Sequence, residues 1–482
     1  MKNMDINKLK RPVKYGKIPL KLLHNKRDHM FTGLKYQLEI TDTLIDNILP
    51  QDNELIKLKK VLNWEKINNI YKECFPSKRG RATKKTDIAL GLLILKHLYR
   101  KSDRDLVRDL HLNTSYMHFC GLSYDEVAAT NKAGKKAIDS STLTKIRARL
   151  GTKRIERIGA LLTSDLASKK IIDGKYLFTD TTSLEKNIQY PTEVSLLSRI
   201  IREAAVVSQN VVHKKDIIVT ETLARAKKIS KVYYSASRKT KKLLKDTTES
   251  LLIIAKKEIE EASRAIDDMA DAVFSVTAAR LKKLKSTGNK IISQVESKLA
   301  GKPVPRRILS YHEEAAVSLP KSRPGKPCAF GAKLSLSVSR NGYITDHSLY
   351  DRNIADIDTL ESAVENHFNT FGKKFKAASA DRAYYDKDLI EKLEKKYKVE
   401  LAIPHKKRKK MPMLTNKELL YKKRAAIEAK ISEGKRMTGL GKSYYKGFTG
   451  DRFWVVLSVL ALNLRQLLKD MDRKPELIYE FG

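Results

Sequence analysis

The sequence predicts a mixed α and α/β chain, with helices first and then a mixed sheet interrupted by a long helical insertion. Three observations predict it. Apolar residues recur at helical spacing between 86 and 150. Aromatic and β-branched runs bounded by turn residues appear at 175–182 and 329–350. Residues 375–403 read strand, helix, strand, which is the pattern of a parallel unit with a right-handed crossover. The chain has 482 residues and is 41% hydrophobic, enough for sizeable cores and about three domains at roughly 150 residues each.

Residues 1–70 read as an N-terminal extension, a poorly defined start followed by short helices. Pro76 to Arg81 form a basic loop carrying Arg79 and Arg81. From Thr86 a helix places Ile88, Leu92, Leu95 and Tyr99 on one side. Ser102 with Asp105 has the form of a capping box, and the helix it opens holds Leu106, Val107 and Leu110. A short helix with Tyr116, Met117 and Phe119 follows, ending at Gly121. Asp139 to Thr142 cap a further helix bearing Lys145, Arg147 and Arg149. The pattern over 71–165 is helix-turn-helix-like and is read as a helical DNA-binding domain. An ordinary small helical domain has the same pattern, so the signal for DNA comes from context.

Asp173-Gly174 is a turn signal, and Lys175 to Thr182 read as a strand with Asp180 near its end. Residues 193–305 then turn helical and lysine-rich. Ile259, Ala262, Ile266, Met269, Val273 and Val276 recur at three- and four-residue steps, which fits a helical hairpin or coiled-coil-like insertion and equally two amphipathic helices packed on the main body. Gly301 to Pro305 close it. Asn341-Gly342 between alternating runs is a strong hairpin signal. Helical spacing at 356–370 precedes a strand ending in Asp381, a helix with Leu389, Ile390 and Leu393, and a strand at 399–403. A dense basic loop from His405 to Lys410 holds Lys406, Lys407 and Arg408. A helix with Leu419, Leu420, Ile427 and Ile431 follows, then a glycine-rich basic turn at 439–450 and the apolar helix Phe453–Leu468. The sheet domain is thus read as 166–192 plus 306–482.

The formal charge of +41 calls for a polyanion, nucleic acid first and an anionic membrane surface second. The cations are spread along the chain, which favours a long DNA or RNA path over several domains. Cys74, Cys120 and Cys328 are too few and too scattered for a disulfide framework or a cysteine-rich zinc module, and they fit a reducing cytoplasm. The N-terminus has no apolar signal core, and the longest apolar stretches are too short to span a bilayer. A soluble protein with no membrane partner is expected.

Three acids stand where such a sheet could gather them: Asp180 on the first strand, Asp381 at the end of a parallel strand, and Glu428 on a following helix. Catalytic groups collect at the carboxyl ends of strands in such sheets. Three converging carboxylates in so basic a chain suggest hard divalent cations. Around Glu428 the order is Tyr421, two residues, Arg424, three residues, Glu428, six residues, Lys435. These four recur on one helix face. In type and spacing they resemble the Tyr-Arg-Glu-Lys signature of the DDE transposases of bacterial insertion sequences. Asp180-Thr181-Thr182 with Asn187 to Thr192 looks like the region of that family's first catalytic Asp. Ala380-Asp381-Arg382 looks like the second, with Ala383 where glycine is more usual. Phe330 to Leu334, Gly447 and Asn463-Leu464 match further segments, and residues 71–150, with Phe119 to Leu122 and Ser141 to Leu143, are similar to the family's helical N-terminal domain.

The resemblance implies a helical DNA-binding domain and a ribonuclease-H-like mixed-sheet catalytic core with a large helical insertion at 193–305. It implies Asp180, Asp381 and Glu428 as catalytic metal ligands for two Mg²⁺ ions, which Mn²⁺ can replace. Tyr421, Arg424, Lys435, Arg382, Lys406, Lys407, Arg408, Arg79 and Arg81 are the expected DNA contacts. The implied activity is binding of terminal inverted repeats, then cleavage and strand transfer, by a homodimer on double-stranded element ends and target, in the cytoplasm near the nucleoid. A catalytically silent DNA-binding descendant and a nuclease without strand transfer are the alternatives. Glu433 is a rival third acid that breaks the spacing. Gly439 to Ser443 superficially resembles a P-loop ending but follows a helix, and Trp64 and Trp454 are expected in cores.

Overall fold

The N-terminal helices begin at their capping residues. The structure is a computed structural model, and it describes residues 49–75, 84–132, 134, 137–212, 217–267, 275–321, 327–406 and 415–481. The first helices are α1 (Glu54–Val61), α2 (Trp64–Lys72), α3 (Thr86–Tyr99), α4 (Asp103–Leu110), α5 (Thr114–Phe119), α6 (Tyr124–Lys132) and α7 (Ser140–Ser168). The Ser102 hydroxyl accepts from the Asp105 N–H at 3.1 Å to open α4, and Asp139 accepts from the Ser141 N–H at 2.8 Å to open α7. Each cap satisfies a backbone donor that the helix cannot satisfy itself. The apolar faces meet in one core that includes Leu58, Ile67, Leu92, Leu106, Phe119 and Ile155. Helices α1 and α2, which the sequence reading set in an N-terminal extension, share this core.

Strand β1 (Tyr176–Lys186) leads into α8 (Glu193–Val212), α9 (Ile217–Ser235), α10 (Lys241–Asp267), α11 (Ser275–Lys283) and, after a π turn, α12 (Asn289–Leu299). These helices close a separate core around Leu197, Ile200, Leu251, Ala255 and Val295. Of the heptad-like residues, Ile259 and Ala262 enter it and Val276 is exposed; the side chains of Ile266, Met269 and Val273 lie outside the described residues. The insertion is a small helical body of its own, where the periodicity alone allowed a hairpin or two docked helices. Glu193 ties its start to its end, because Oε1 accepts from Lys298 Nζ and from Arg307 Nη2, both at 2.5 Å.

The sheet continues with β2 (Val317–Pro320), β3 (Cys328–Ser339) and β4 (Ile344–Tyr350). Then come α13 (Leu360–Phe371), β5 (Ala377–Ser379), α14 (Lys387–Tyr397), β6 (Glu400–Ala402), α15 (Thr415–Lys423), α16 (Ala425–Met437), β7 (Lys442–Ser443) and α17 (Gly447–Arg473). The strand order is β2-β3-β1-β5-β6, with β4 on β3 and β7 on β1. β1 runs antiparallel to β3 and parallel to β5, and β5 runs parallel to β6. The sheet is therefore mixed, as expected. The β3–β4 hairpin turns at Gly342, whose φ of +86° suits a residue without a Cβ. At Gly331 a Cβ would come within 1.9 Å of the Leu184 carbonyl oxygen, so only glycine lets β3 pass β1 there.

Alternation along β1 feeds two faces. Leu177 packs with Leu360, Val364, Ala378 and Leu401 under α13 and α14. Phe178 and Leu184 pack on the other face with Ile427, Ile431 and Leu462. Burying each such side chain stabilises the sheet by about 1.5–3 kcal/mol. Helix α17 joins the two bodies. Its Val456, Leu457 and Leu460 enter the N-terminal core, and Trp454, Val455 and Val459 enter the sheet core. Trp64 and Trp454 are both buried, as expected. His97 on α3 adds a polar link, with Nδ1 at 3.0 Å from Ser458 Oγ and 3.1 Å from the Thr438 carbonyl oxygen.

The far end of β1 is held by a buried charge cluster. Lys186 Nζ lies 2.6 Å from Asp451 Oδ1 and 3.0 Å from Glu313 Oε2. It also donates to the Tyr445 carbonyl oxygen at 2.7 Å, and Glu313 Oε2 accepts from the Gly447 N–H at 3.0 Å. Lys186 comes from β1, Glu313 from the segment after the insertion, and Asp451 from α17.

Candidate active site

The alternation that seats Phe178 and Leu184 under α16 turns Asp180 and Thr182 toward the same helix. Asp381 arrives by register: Phe178 pairs with Ser379 in parallel, and Asp180 and Asp381 each lie two residues beyond that pair. Asp381 caps a short 3₁₀ turn, its Oδ1 accepting from the Arg382 N–H at 2.6 Å. Asp180 thus stands in the middle of β1, which runs on to Lys186 where the sequence placed this acid near the strand's end, and Asp381 stands just past the end of the neighbouring β5.

The third acid is linked to them through an arginine. Arg424 lies at the break between α15 and α16, so the helix predicted as continuous is divided there. Its Nη2 donates to Glu428 Oε1 at 2.7 Å and its Nη1 lies 3.6 Å from Asp180 Oδ2. The Tyr421 ring covers it, with the guanidinium carbon 5.4 Å from the ring centroid, a cation–π arrangement. Further along α16, Lys435 Nζ donates to the Thr182 hydroxyl. Across the break, Arg424 and Lys435 reach β1 at Asp180 and Thr182, and Tyr421 and Glu428 meet Arg424.

The electrostatics of this group are unbalanced. Burial pushes the Asp180 carboxyl up to about 6, and Asp381 and Asp356 add to the rise against the Thr181 N–H and Arg424. Burial alone would lower Arg424, yet Glu428 and Asp180 hold it above its ordinary value. Its Nε and Nη1 are buried without a hydrogen-bond acceptor, since 3.6 Å is too long for one. Glu428 itself is exposed, at 59% of its side chain. Among the described residues no three acidic, histidine or cysteine side chains are grouped closely enough to hold a metal ion by themselves.

Asp356 belongs to the same neighbourhood and escaped the sequence reading. Its Oδ1 accepts from the Thr181 hydroxyl at 2.6 Å and pairs with Lys333 Nζ at 2.6 Å. It carries no motif, and only the sheet brings it near β1. Glu433 is accounted for elsewhere, paired with the buried Lys430 at 3.1 Å and with Lys469 at 2.6 Å. Arg382 and Lys406 are exposed. Arg79, Arg81, Lys407 and Arg408 lie outside the described residues. The Gly439–Ser443 segment ends in β7 on β1, where the Gly441 carbonyl accepts from the Glu185 N–H at 3.0 Å, so its backbone is occupied in the sheet.

A mixed sheet with one carboxylate within β1 and a second just past the adjacent β5, beneath a helix that supplies a third, is consistent with a ribonuclease-H-like DDE domain. Comparison with known families agrees. Residues 320–464 match the family described as Transposase DDE domain, and residues 43–149 match Transposase domain (DUF772). The chain is a DDE transposase by these domains. The first match contains Asp381 and Glu428 and begins after β1, so Asp180 and the insertion fall outside both. An uncharacterized protein of Rhizobium meliloti, ORF8 in the nfe locus, is 27% identical over 169 residues, which is 33% of this chain and 77% of that protein. No solved structure matches the chain. No helix among the described residues is long and apolar enough to cross a membrane.

Proposed function

We propose that this transposase acts for a bacterial insertion sequence of the Tyr-Arg-Glu-Lys type. In this reading it binds terminal inverted repeats, cleaves DNA at the element end and joins the freed end to a target. One observation carries the reading. Asp180 in mid-β1 and Asp381 just past the end of the adjacent parallel β5 lie in matching register, and Arg424 connects Asp180 to Glu428. A single ordered set of residues scattered over about 250 positions of sequence is thereby drawn toward one place.

The donor set fits hard divalent cations, being all carboxylate oxygen. Asp180 and Asp381, with help from Glu428, would hold two Mg²⁺ ions, for which Mn²⁺ can substitute. Bound there, the ions would activate the attacking oxygen and stabilise the leaving one in an in-line displacement. Arg424 and Lys435 would hold phosphate oxygens, and Arg424 would exchange a carboxylate partner for a phosphate one. Tyr421 would brace that guanidinium and meet the DNA end. Arg382, Lys406, Lys407, Arg408, Arg79 and Arg81 would extend the contact along the backbone, with the helical domain at 71–165 reading the repeat. Joining two ends calls for two active sites, hence a homodimer on DNA, and the work belongs in the cytoplasm at the nucleoid.

The test is cleavage of a labelled duplex carrying the flanking element end, with Mg²⁺ or Mn²⁺. Cuts at the end, a joined product, and loss of both in Asp180→Asn and Glu428→Gln are expected. Tight binding without cleavage under either metal would sink the catalytic reading, and cleavage surviving Glu428→Gln would remove that residue from the ligand set.

A further inference from the structure

The insertion carries a surface that its own fold does not use. Between Glu221 and Asp246 the chain has nine lysines and arginines and no acidic residue. This stretch is most of α9, the turn that follows it, and the start of α10. Lys227, Lys228 and Lys231 recur at helical spacing on α9, Lys241 and Lys242 open α10, and Arg238 lies in the turn between. All six are exposed. Among the described residues none of the six has an acidic partner. Lys245, one turn further on, is the first to reach one, Glu249 at 3.8 Å.

The rest of the insertion behaves differently. Lys256 pairs with Glu296, Lys257 with Glu261, Arg264 with Glu260, and Lys298 with Glu193. An ordinary solvated face mixes signs in that way. A face stripped of acids concentrates positive potential and attracts an anionic partner.

Aromatic groups link this stretch to the segment that follows β1. Lys239 Nζ is 5.5 Å from the Tyr233 ring centroid. The exposed Tyr234 places its hydroxyl 3.3 Å from Thr192 Oγ1, on the segment that leaves β1, and Tyr190 beside it is 70% exposed. The basic turn is therefore tied to Thr192, six residues past the end of the strand that carries Asp180. From Asp180 to Lys186 the strand runs about 20 Å, or roughly six base pairs of B-DNA.

We infer that the α9–α10 turn is a second DNA-binding surface, which grips the phosphate backbone of the duplex beyond the end held at Asp180. This rests on the DNA reading proposed above. Its contacts are to phosphates, so it adds affinity and positioning without sequence preference.

The experiment compares the full-length protein with a variant in which Lys227, Lys228, Arg238, Lys241 and Lys242 are all changed to Gln. Duplexes carrying an element end are used, long or trimmed within about six base pairs of the cut. On the long duplex the wild type's advantage should shrink about 10²-fold between 50 and 200 mM salt, because about four to five phosphate contacts are lost. The advantage should be the same with scrambled flanking sequence and vanish on the trimmed duplex. Equal affinity and equal salt slope on the long duplex would overturn the inference. So would a variant defective only toward poly-glutamate, which would assign the surface to an acidic protein. Failure of the wild type to bind any duplex would instead remove the DNA reading itself. As a check independent of the variant's folding, a benzophenone amino acid at Val232, which is 54% exposed, should crosslink to the long duplex and not to the trimmed one. Absence of that crosslink would also overturn the inference.

Discussion

Strand β1 carries two charge clusters six residues apart, and they are built on opposite terms. At Lys186 the ammonium is 3% exposed and meets Asp451, Glu313 and a backbone carbonyl at short range. At Asp180 the nearest guanidinium nitrogen is 3.6 Å away, two arginine nitrogens lack acceptors, and the partner Glu428 is open to solvent. The first cluster is satisfied by the fold alone. The second holds buried polar groups with unfilled capacity, a state that proteins tolerate where something else binds. Satisfaction, more than the presence of charge, separates the structural group from the candidate site.

The comparison can be broken most sharply at the acids. Asp180→Asn or Asp381→Asn should lower end cleavage by about three orders of magnitude, the scale of removing a group aimed at developing charge, with the thermal midpoint kept or raised. A variant that cuts at wild-type rate would erase the functional half of the contrast. Next comes Lys186→Met, which leaves two buried carboxylates without their cation and should cost about 3–5 kcal/mol in denaturant titration. Arg424→Gln should cost under about 1 kcal/mol in the same titration, because the guanidinium it removes is poorly satisfied, while impairing cleavage. Equal destabilisation by the two would merge the clusters.

The pH response sharpens the contrast further. A carboxyl raised to about 6 in the fold keeps its proton where the unfolded chain, near 3.9, has lost it. The folded state then binds more protons, so this group's contribution to stability falls as pH rises from about 4 to about 6. Asp180→Asn should remove that decline, seen as a difference of up to roughly 3 kcal/mol between the two proteins' stability-versus-pH curves. Parallel curves would mean that Asp180 titrates normally. The smallest effect on cleavage is expected at Glu433→Gln. Its amide keeps one hydrogen bond to Lys430, so a loss of about 1–2 kcal/mol with full cleavage should follow. A large loss of cleavage would return Glu433 to the list of ligands.

Much of the architecture was legible because local chemistry and tertiary demand agree. Ser102 and Asp139 cap the helices they were read to open, Asn341-Gly342 turns the hairpin, and the parallel β5–α14–β6 unit follows the strand–helix–strand pattern. The ordered spacing from Tyr421 to Lys435 pointed to a shared face, which the break at Arg424 keeps. Other features were not legible. Asp356 reaches Thr181 only through the sheet, so no spacing announces it. The period from Ile259 to Val276 describes an amphipathic helix, and an amphipathic helix does not reveal whether its apolar side meets one neighbour or four. The division at Arg424 leaves no mark in sequence, since its backbone remains helical on both sides of the break.

The Glu193 clasp has a bearing on how such a chain came to be. One carboxylate gathers Lys298 and Arg307, so the polypeptide leaves the sheet domain and rejoins it at nearly the same point. More than a hundred residues therefore hang from a single socket. A lineage could acquire, exchange or shed that appendage without shifting the register of β1 against β3, and laboratory chimaeras spliced at the same point would inherit that freedom.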